Sequence, residues 1–179
     1  MRIISGKYRG KQLIAPAGLP VRPTTDFAKT GLFNILGNQI DFKAVKLLDL
    51  FSGTGCISYE FASRGCENIL AVDADQRCVK FIRTTFEQLN ITGSEVVRAD
   101  AFLFLKNCSE TFDIIFADPP YDLKGIDRIP KLVNERQLLN TDGVLILEHA
   151  SELKTDWGEH TVTRKYGHVA FTFFYNSTS

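Results

Sequence analysis

Two short loops of this sequence contain residue types that suit chemistry on a small organic group. The glycine loop (residues 51–55) contains Gly53 and Gly55, which let a ligand approach the backbone without meeting a side chain. The proline loop (residues 118–121) offers the carboxylate of Asp118, a backbone carbonyl and the aromatic plane of Tyr121. The first loop therefore fits a nucleoside-type cofactor, and the second fits a flat substrate that carries an amine.

The proline loop is stiff and presents mainly hydrogen-bond acceptors. Pro119 and Pro120 have fixed φ angles and no N–H group. An exocyclic NH2 group is the matching donor, because Asp118 and a loop carbonyl can accept its two hydrogens while Tyr121 stacks on the ring. The nitrogen lone pair then points at an electrophilic methyl group, and such orientation is worth at most about 7–11 kcal/mol of barrier. A purely structural turn is the competing interpretation.

Carboxylates follow the predicted strands that come after the glycine loop. Asp73 can accept both hydroxyl hydrogen bonds of an adenosine ribose, and Asp75 is the competing candidate. Asp100 can accept from an adenine amino group, with helix capping as the alternative interpretation of each such residue. Ser58 replaces the third glycine of a G-x-G-x-x-G motif, so a pyrophosphate is not indicated. The predicted cofactor is S-adenosylmethionine.

Alternating strands and helices must position these groups. Short apolar runs predict strands at 46–51, 68–72, 95–99, 112–117 and 144–148. Residues at helical spacing predict helices at 56–64, 75–89, 101–106 and 125–139. The predicted fold class is therefore α/β, a Rossmann-like, doubly wound and mostly parallel sheet of seven strands.

The two ends of the chain add further elements. Short strands at 2–5 and 12–15 predict a small N-terminal β-hairpin extension, and 161–166 with 169–176 predict a closing hairpin. A helix is predicted from a cap at Thr24 or Thr25 to Gly37. We expect a basic hairpin and linker over 1–23 and a methyltransferase domain over 24–179.

Composition limits the class of protein. A chain of 179 residues with 44% hydrophobic residues fits one domain with one core. No run approaches the ~20 apolar residues that span a bilayer, and the first residues do not resemble a signal peptide, so we expect a cytoplasmic protein without membrane contact. The four cysteines show no Cys-x-x-Cys pairing, and we expect reduced thiols and no metal.

Charge is unevenly distributed, although the formal net charge is zero. The first thirty residues contain six cations and a single acidic residue, Asp26. This pattern favours a contact with a polyanion, and a solvated surface is the alternative.

Together these residues resemble class I methyltransferases that act on amino groups, and more closely the bacterial 16S ribosomal RNA guanine-N2 methyltransferase family. The marks are residues 2–11, 22–26 and 32–36, in addition to the two loops. The resemblance implies methyl transfer from S-adenosylmethionine to the N2 amine of a guanine. It implies 16S rRNA as the partner, presented within the small ribosomal subunit, and we expect a monomer.

The resemblance also implies roles for individual residues. Catalysis is expected from Asp118, Pro119, Pro120 and Tyr121. Cofactor binding is expected from Asp49, Phe51, Ser52, Gly53, Thr54, Gly55, Asp73, Ala74, Asp100 and Ala101. RNA binding is expected from Arg2, Lys7, Arg9, Lys11, Arg22 and Thr24.

Several alternatives remain open at this point. The proline loop also resembles those of adenine-N6 and protein-glutamine methyltransferases, although the glutamine enzymes favour Asn where this chain has Asp118. A nicotinamide oxidoreductase would need the third glycine, and a non-enzymatic RNA-binding module would not need an intact proline loop. Further candidate site residues, for which burial or a surface role competes, are Glu148, His149, His168 and Phe171.

Overall fold

A computed structural model of the chain describes residues 1–19, 24–153, 157–158 and 161–176. Strands and helices alternate along most of it. In chain order the elements are α1 (Asp26–Gly37), β1 (Lys46–Leu50), α2 (Cys56–Ser63), β2 (Asn68–Asp73), α3 (Gln76–Leu89), β3 (Glu95–Arg98), α4 (Ala101–Asn107), β4 (Phe112–Ala117), α5 (Arg128–Glu135), β5 (Leu139–Ala150), β6 (Thr161–Tyr166) and β7 (Val169–Tyr175).

Within the described ranges, seven strands form one sheet in the order β3-β2-β1-β4-β5-β7-β6. Strands β1 to β5 pair with one another in parallel, whereas β7 runs antiparallel to both β5 and β6. The predicted doubly wound, mostly parallel sheet is confirmed. The strand order reverses between β1 and β4, and ligands of open α/β sheets bind at the carboxyl ends of the strands at such a switch point.

The sheet is buried on both faces because its side chains alternate. Leu47 and Ile114 lie in one apolar cluster, which also contains buried side chains of α1, α2 and α3. Leu48 and Ile115, one residue further along, lie in the cluster on the other face with α4 and α5. This two-sided packing explains why the parallel strands are continuous apolar runs.

Most predicted elements are present with ends shifted by at most one residue. The prediction of a helix over 125–139 was wrong at both ends, because Gly125 (φ +84°) and Gln137 (φ +51°) have left-handed backbones that a helix excludes. The strand predicted at 144–148 extends over Leu139–Ala150. Its first residues are partly exposed and paired through the backbone, so they leave no apolar pattern in the sequence.

The N-terminal segment (residues 1–19) turns back on itself, but regular pairing is limited to one antiparallel bridge between Arg2 and Gln12. Ile3 and Leu13 are buried in the same cluster as Leu32 of α1. The segment is therefore anchored in the common core. The predicted boundary at residue 23 falls in 20–23, outside the described residues.

A buried polar cluster attaches the N-terminal segment to α1 and α2. Lys29 of α1 is 2% exposed, and its Nζ donates to the carbonyl of Arg2 (2.6 Å) and lies 3.1 Å from Oε1 of Glu60. The same Oε1 accepts from the N–H of Ile4 (2.7 Å), and Arg64 binds Oε2. Lys29 is thus not part of the exposed basic surface that the charge count suggested. A buried charge of this kind is tolerated because it is paired and hydrogen-bonded.

We expect Lys29→Met to lower the free energy of unfolding by about 3 kcal/mol, because Glu60 would stay buried without this cation. Urea denaturation followed by circular dichroism measures the change. Lys80→Met, at an exposed position of α3, is the control and should change stability by less than about 0.5 kcal/mol. Equal effects of the two substitutions would contradict the importance of the buried pair.

Candidate active site

The pairing of β1 with β4 brings the glycine loop and the proline loop together. Leu50 lies opposite Ala117 at the ends of these strands, and the loops begin at the next residue of each. The N–H of Asp118 donates to the carbonyl of Leu50 (3.3 Å), and the N–H of Ser52 donates to the carbonyl of Val72 (3.0 Å). Both loops therefore leave the same edge of the sheet at its switch point.

Gly55 can be replaced by no other residue without strain. Its φ is +78°, and it precedes the first turn of α2. A Cβ atom at this position would lie 2.9 Å from the Tyr59 ring and 3.0 Å from Ile82. The N–H of Gly55 donates to the carbonyl of Ser52 (2.7 Å), which closes the turn. Glycine is therefore required here by the left-handed turn and by its packing against the buried Tyr59 and Ile82.

Phe51 adopts a left-handed backbone (φ +55°), which is uncommon for a residue with a side chain. Its ring packs edge-to-face against Phe102 of α4, with centroids 6.3 Å apart. The guanidinium of Arg128 lies 4.7 Å from the centroid of the Phe102 ring. Phe102 was not among the predicted site residues. Its position directly after Ala101, which was predicted to bind the cofactor, could have indicated it.

Asp49 lies beneath the glycine loop and is buried. Its Oδ2 accepts from the hydroxyl (2.6 Å) and the N–H (3.2 Å) of Ser58 in α2. Burial raises the pKa of Asp49 to about 7, although the bonds from Ser58 oppose the shift. Ser58 thus has a structural use at the position where a dinucleotide motif would have glycine. The arrangement fixes the turn from β1 into α2.

Asp73 binds the glycine loop through its side chain. Its Oδ2 accepts from the N–H of Gly53 (2.8 Å) and its Oδ1 from the N–H of Asp75 (2.8 Å). Burial raises its pKa, while these two backbone donors act in the opposite direction. A carboxylate has about four acceptor positions, so two remain for the hydroxyls of a ribose.

Asp75, the competing candidate, is already engaged. Its oxygens accept from the N–H (2.7 Å) and the guanidinium (2.6 Å) of Arg77, and these bonds lower its pKa to about 2. Asp100 caps α4, where its Oδ1 accepts from the N–H of Leu103 (2.9 Å). Asp75 and Asp100 therefore both cap helices, as the alternative interpretation expected. The cap on α4 uses only Oδ1 of Asp100, and the other carboxylate oxygen takes no part in it.

Two alanines flank these carboxylates. Ala74 is exposed, and its carbonyl accepts from Arg98 (3.2 Å). Ala101, the first residue of α4, is buried. Ser52 and Thr54 of the glycine loop are also buried.

Asp118 is partly buried at the start of the proline loop. Burial raises its pKa well above the usual value, and the negative charges of Glu148 and then Asp49 add to the effect. Pro119 is buried, whereas Tyr121 at the far end is 46% exposed. The loop therefore presents a proton-binding carboxyl at its base and an aromatic ring at the surface.

The further candidates separate into two groups. Glu148 of β5 follows Leu147, the partner of Ala117, so it lies beside Asp118. His149 instead contacts Thr172 through Nε2 (2.8 Å), away from the proline loop, and burial lowers its pKa. His168 is exposed in the turn before β7, and Phe171 is fully buried in the core.

The cations expected to bind RNA are exposed on the N-terminal segment: Arg2, Lys7, Arg9 and Lys11. Arg2 also pairs with Asp26 (3.3 Å). Thr24 does not belong to this surface, because it is buried and its hydroxyl donates to Glu148 (3.0 Å). Arg22 lies outside the described residues.

Two surface grooves lie away from these loops. One, of about 420 Å³, runs along α1 to Tyr166, and the other, of about 410 Å³, runs along α4. Across 1–19, 24–153, 157–158 and 161–176, no group of three His, Cys, Asp or Glu side chains is placed to hold a metal ion. In the same ranges no helix combines the length and apolarity needed to cross a membrane.

The fold is that of class I methyltransferases. A solved structure of a hypothetical protein from Thermus thermophilus is 29% identical, with a TM-score of 0.83 over 97% of this chain and 98% of that one. A 16S rRNA N2 methyltransferase (RsmC) of the same organism, solved with AdoMet and guanosine, is 23% identical and gives a TM-score of 0.69 over 88% of this chain and 45% of that one.

Residues 1–175 match the family described as conserved hypothetical protein 95, and the chain belongs to that family. A Bacillus subtilis relative with the name "Putative rRNA methyltransferase YlbH" is 36% identical over 171 residues, 92% of each chain. The Escherichia coli relative named "Ribosomal RNA small subunit methyltransferase D" is 26% identical over 97% of this chain and 89% of its own. The family and the fold that the sequence predicts are confirmed.

We expect Asp73→Ala to weaken binding of S-adenosylmethionine by about 10- to 100-fold, because hydrogen bonds to a charged acceptor are worth about 1.5–3 kcal/mol each. Isothermal titration calorimetry measures the dissociation constant. Asp75→Ala is the matched control two residues away, and it should change affinity by less than about threefold while it loses a helix cap. The reverse order of effects would show that Asp75 is the ribose ligand.

Proposed function

We propose that this protein transfers a methyl group from S-adenosylmethionine to the exocyclic N2 amine of a guanine in 16S rRNA of the small ribosomal subunit. The adjacency of the two loops is the observation that carries the proposal. The N–H of Asp118 is bonded to the carbonyl of Leu50, the residue before the glycine loop. A cofactor held on one loop and an amine held on the other therefore meet at one point of the sheet edge.

The residues present fit S-adenosylmethionine, which supplies an electrophilic methyl group on a sulfonium. The glycine loop turns through Gly53 and Gly55, which both have positive φ and carry no side chain that could block a ligand. Asp73 has acceptor positions left for ribose hydroxyls, and the ring of Phe51 with Phe102 offers an apolar wall. The loop does not need a phosphate cradle, because this cofactor has no pyrophosphate. The cofactor is S-adenosylmethionine.

The acceptor character of the proline loop favours guanine over other bases. The edge of a guanine that carries the N2 amine also presents the N1–H, so two donors stand side by side. Adenine and cytosine place an acceptor nitrogen next to their amine instead. The carboxylate of Asp118 can accept from N1–H and N2–H of guanine together, whereas it would repel the acceptor nitrogen of the other two. Tyr121, exposed at the end of the loop, stacks on the base.

The amine, the cofactor and Asp118 together account for every bond and proton that changes in the proposed transfer. The nitrogen lone pair forms the new N–C bond while the S–C bond breaks and its electron pair stays on sulfur. The methylated nitrogen then carries a positive charge and an extra proton. Asp118, whose pKa is raised, takes that proton and releases it to solvent. Orientation of a weakly nucleophilic amine is the main contribution of the chain.

Exposed cations of the N-terminal segment hold the RNA backbone beside the pocket, and the protein acts as a monomer on the assembled subunit. Lys7, Arg9 and Lys11 project from a segment anchored by Ile3 and Leu13. Their phosphate contacts offset the few kcal/mol needed to bring a base out of its stack. Relatives named as rRNA methyltransferases support RNA as the substrate.

The decisive experiment incubates the purified protein with methyl-labelled S-adenosylmethionine and unmethylated small ribosomal subunits. Digestion of the RNA and chromatography of the nucleosides should show the label in N2-methylguanosine. Label in N6-methyladenosine, or in a protein glutamine, would replace the guanine assignment with one of the alternatives. Absence of label from every subunit component would overturn the proposed function.

We expect Asp118→Ala to retain the wild-type affinity for S-adenosylmethionine and to lose at least about 100-fold in methyl transfer, the lower limit for a positioned acid–base group. Calorimetry gives the affinity, and single-turnover transfer to subunits gives the rate. Full transfer activity in this variant would exclude Asp118 from the reaction.

We expect the triple change of Lys7, Arg9 and Lys11 to Glu to weaken RNA binding and to reduce the slope of log K against log salt by about 2–3, one unit for each lost phosphate contact. Fluorescence anisotropy with labelled rRNA fragments measures this slope. The same change at three exposed lysines elsewhere, Lys43, Lys80 and Lys106, is the matched control. A slope that falls equally in both triple variants would mean that binding follows net charge and not this surface.

A further inference from the structure

Glu148 is a buried carboxyl that the proposed function has not used. It is 2% exposed and lies at the carboxyl end of β5, next to the strand that carries the proline loop. The hydroxyl of Thr24, 124 positions away along the chain, donates to its Oε2 (3.0 Å). Because Ala117 pairs with Leu147, Asp118, the residue directly after β4, lies beside Glu148 of β5.

Two carboxyls at neighbouring positions repel each other when both are charged, so a proton resides preferentially on one of them. The hydroxyl bond from Thr24 stabilises the charged form of Glu148. Asp118 receives no such donor from Thr24, and the charge of Glu148 acts on it at close range. Asp118 therefore binds a proton more tightly than it would without the neighbouring charge of Glu148.

We propose that Glu148 is a positioning residue for methyl transfer: its buried carboxylate, held by Thr24, places a negative charge behind Asp118 and makes Asp118 the group that takes the proton from the methylated amine. This inference rests on the proposed function. In the proton step, the N–H bond of the cationic product nitrogen breaks, its electron pair returns to nitrogen, and the proton binds an oxygen of Asp118. In this proposal Glu148 keeps its hydrogen bond from Thr24 and exchanges no proton with the substrate.

The other ionisable groups around Asp118 do not replace Glu148 in this role. Asp49 of β1 also faces it, but Asp49 is itself buried, with a pKa raised to about 7, so its charge is partly absent near neutral pH. Cys56 of α2 is nearby, and burial raises the pKa of its thiol to about 12, which keeps it neutral. The cation of Lys29 also acts on Cys56, but it is paired with Glu60 (3.1 Å), and a positive charge does not raise the pKa of a carboxyl.

The direct test follows the titration of Asp118 in the cofactor-free protein by NMR of ¹³C-labelled carboxyl groups, with Asp118→Asn to assign the signal. Glu148→Gln keeps the shape and the bond from Thr24 but removes the charge. We expect this variant to move the Asp118 midpoint down by at least about one pH unit, the usual effect of a close like charge. Thr24→Val should move it in the same direction by less, and Thr24→Ser, which keeps the hydroxyl, should restore the wild-type midpoint.

The same variants then give a functional readout. Single-turnover transfer to subunits needs ionised Asp118, so the wild-type rate falls as the pH drops through the raised pKa. Glu148→Gln lowers that pKa, and its rate should persist to a pH about one unit lower.

An unchanged Asp118 midpoint in Glu148→Gln, with unchanged melting temperature, would overturn the inference, and so would loss of transfer at every pH in a folded variant. If Glu148→Gln does not fold, the comparison of Thr24→Val with Thr24→Ser decides. Failure of the wild-type protein to methylate RNA refutes the proposed function alone, because the titration is measured without RNA.

Discussion

The parallel pairing of β1 with β4 is the constraint on which the site depends. Parallel strands leave a sheet at the same edge, and at a switch point no crossover helix covers that edge. Here the pairing of Leu50 with Ala117 sets two loops beside each other that are more than sixty positions apart in the chain. The chemistry needs a donor loop and an acceptor loop at one point, and backbone hydrogen bonds provide that geometry before any side chain is considered.

Buried carboxyls then give the edge its chemical character. Asp49, Asp73, Asp118 and Glu148 stand near the carboxyl ends of β1, β2, β4 and β5. Hydrogen bonds hold three of them: Ser58 donates to Asp49, the N–H of Gly53 donates to Asp73, and Thr24 donates to Glu148. The same interactions that fix the loops therefore also tune proton affinity. Fold stability and reactivity share these residues, so substitutions among them must be tested for both.

Much of this arrangement was predictable from the sequence, because some residues restrict their own backbone or follow a periodic pattern. Gly55 and the prolines restrict the backbone wherever they stand, and alternation of side chains identifies the strands, so both loops and their strands were predictable. The ends of α5 were not, because a left-handed residue such as Gln137 depends on its tertiary surroundings. Lys29 and Thr24 were also misjudged, as one belongs to a buried pair and the other to Glu148. Contacts between residues that are so far apart in the chain leave no local pattern in the sequence.

The acidic edge also matches the charge that moves during the reaction. In the proposed reaction the sulfonium of the donor is positive, and after transfer the positive charge resides on the product nitrogen until a proton leaves. Carboxyls in a partly buried setting interact with such a charge more strongly than they would in water, because the effective dielectric is lower. A cationic donor and a cationic product are thus both stabilised at one edge, while the neutral thioether left behind is not.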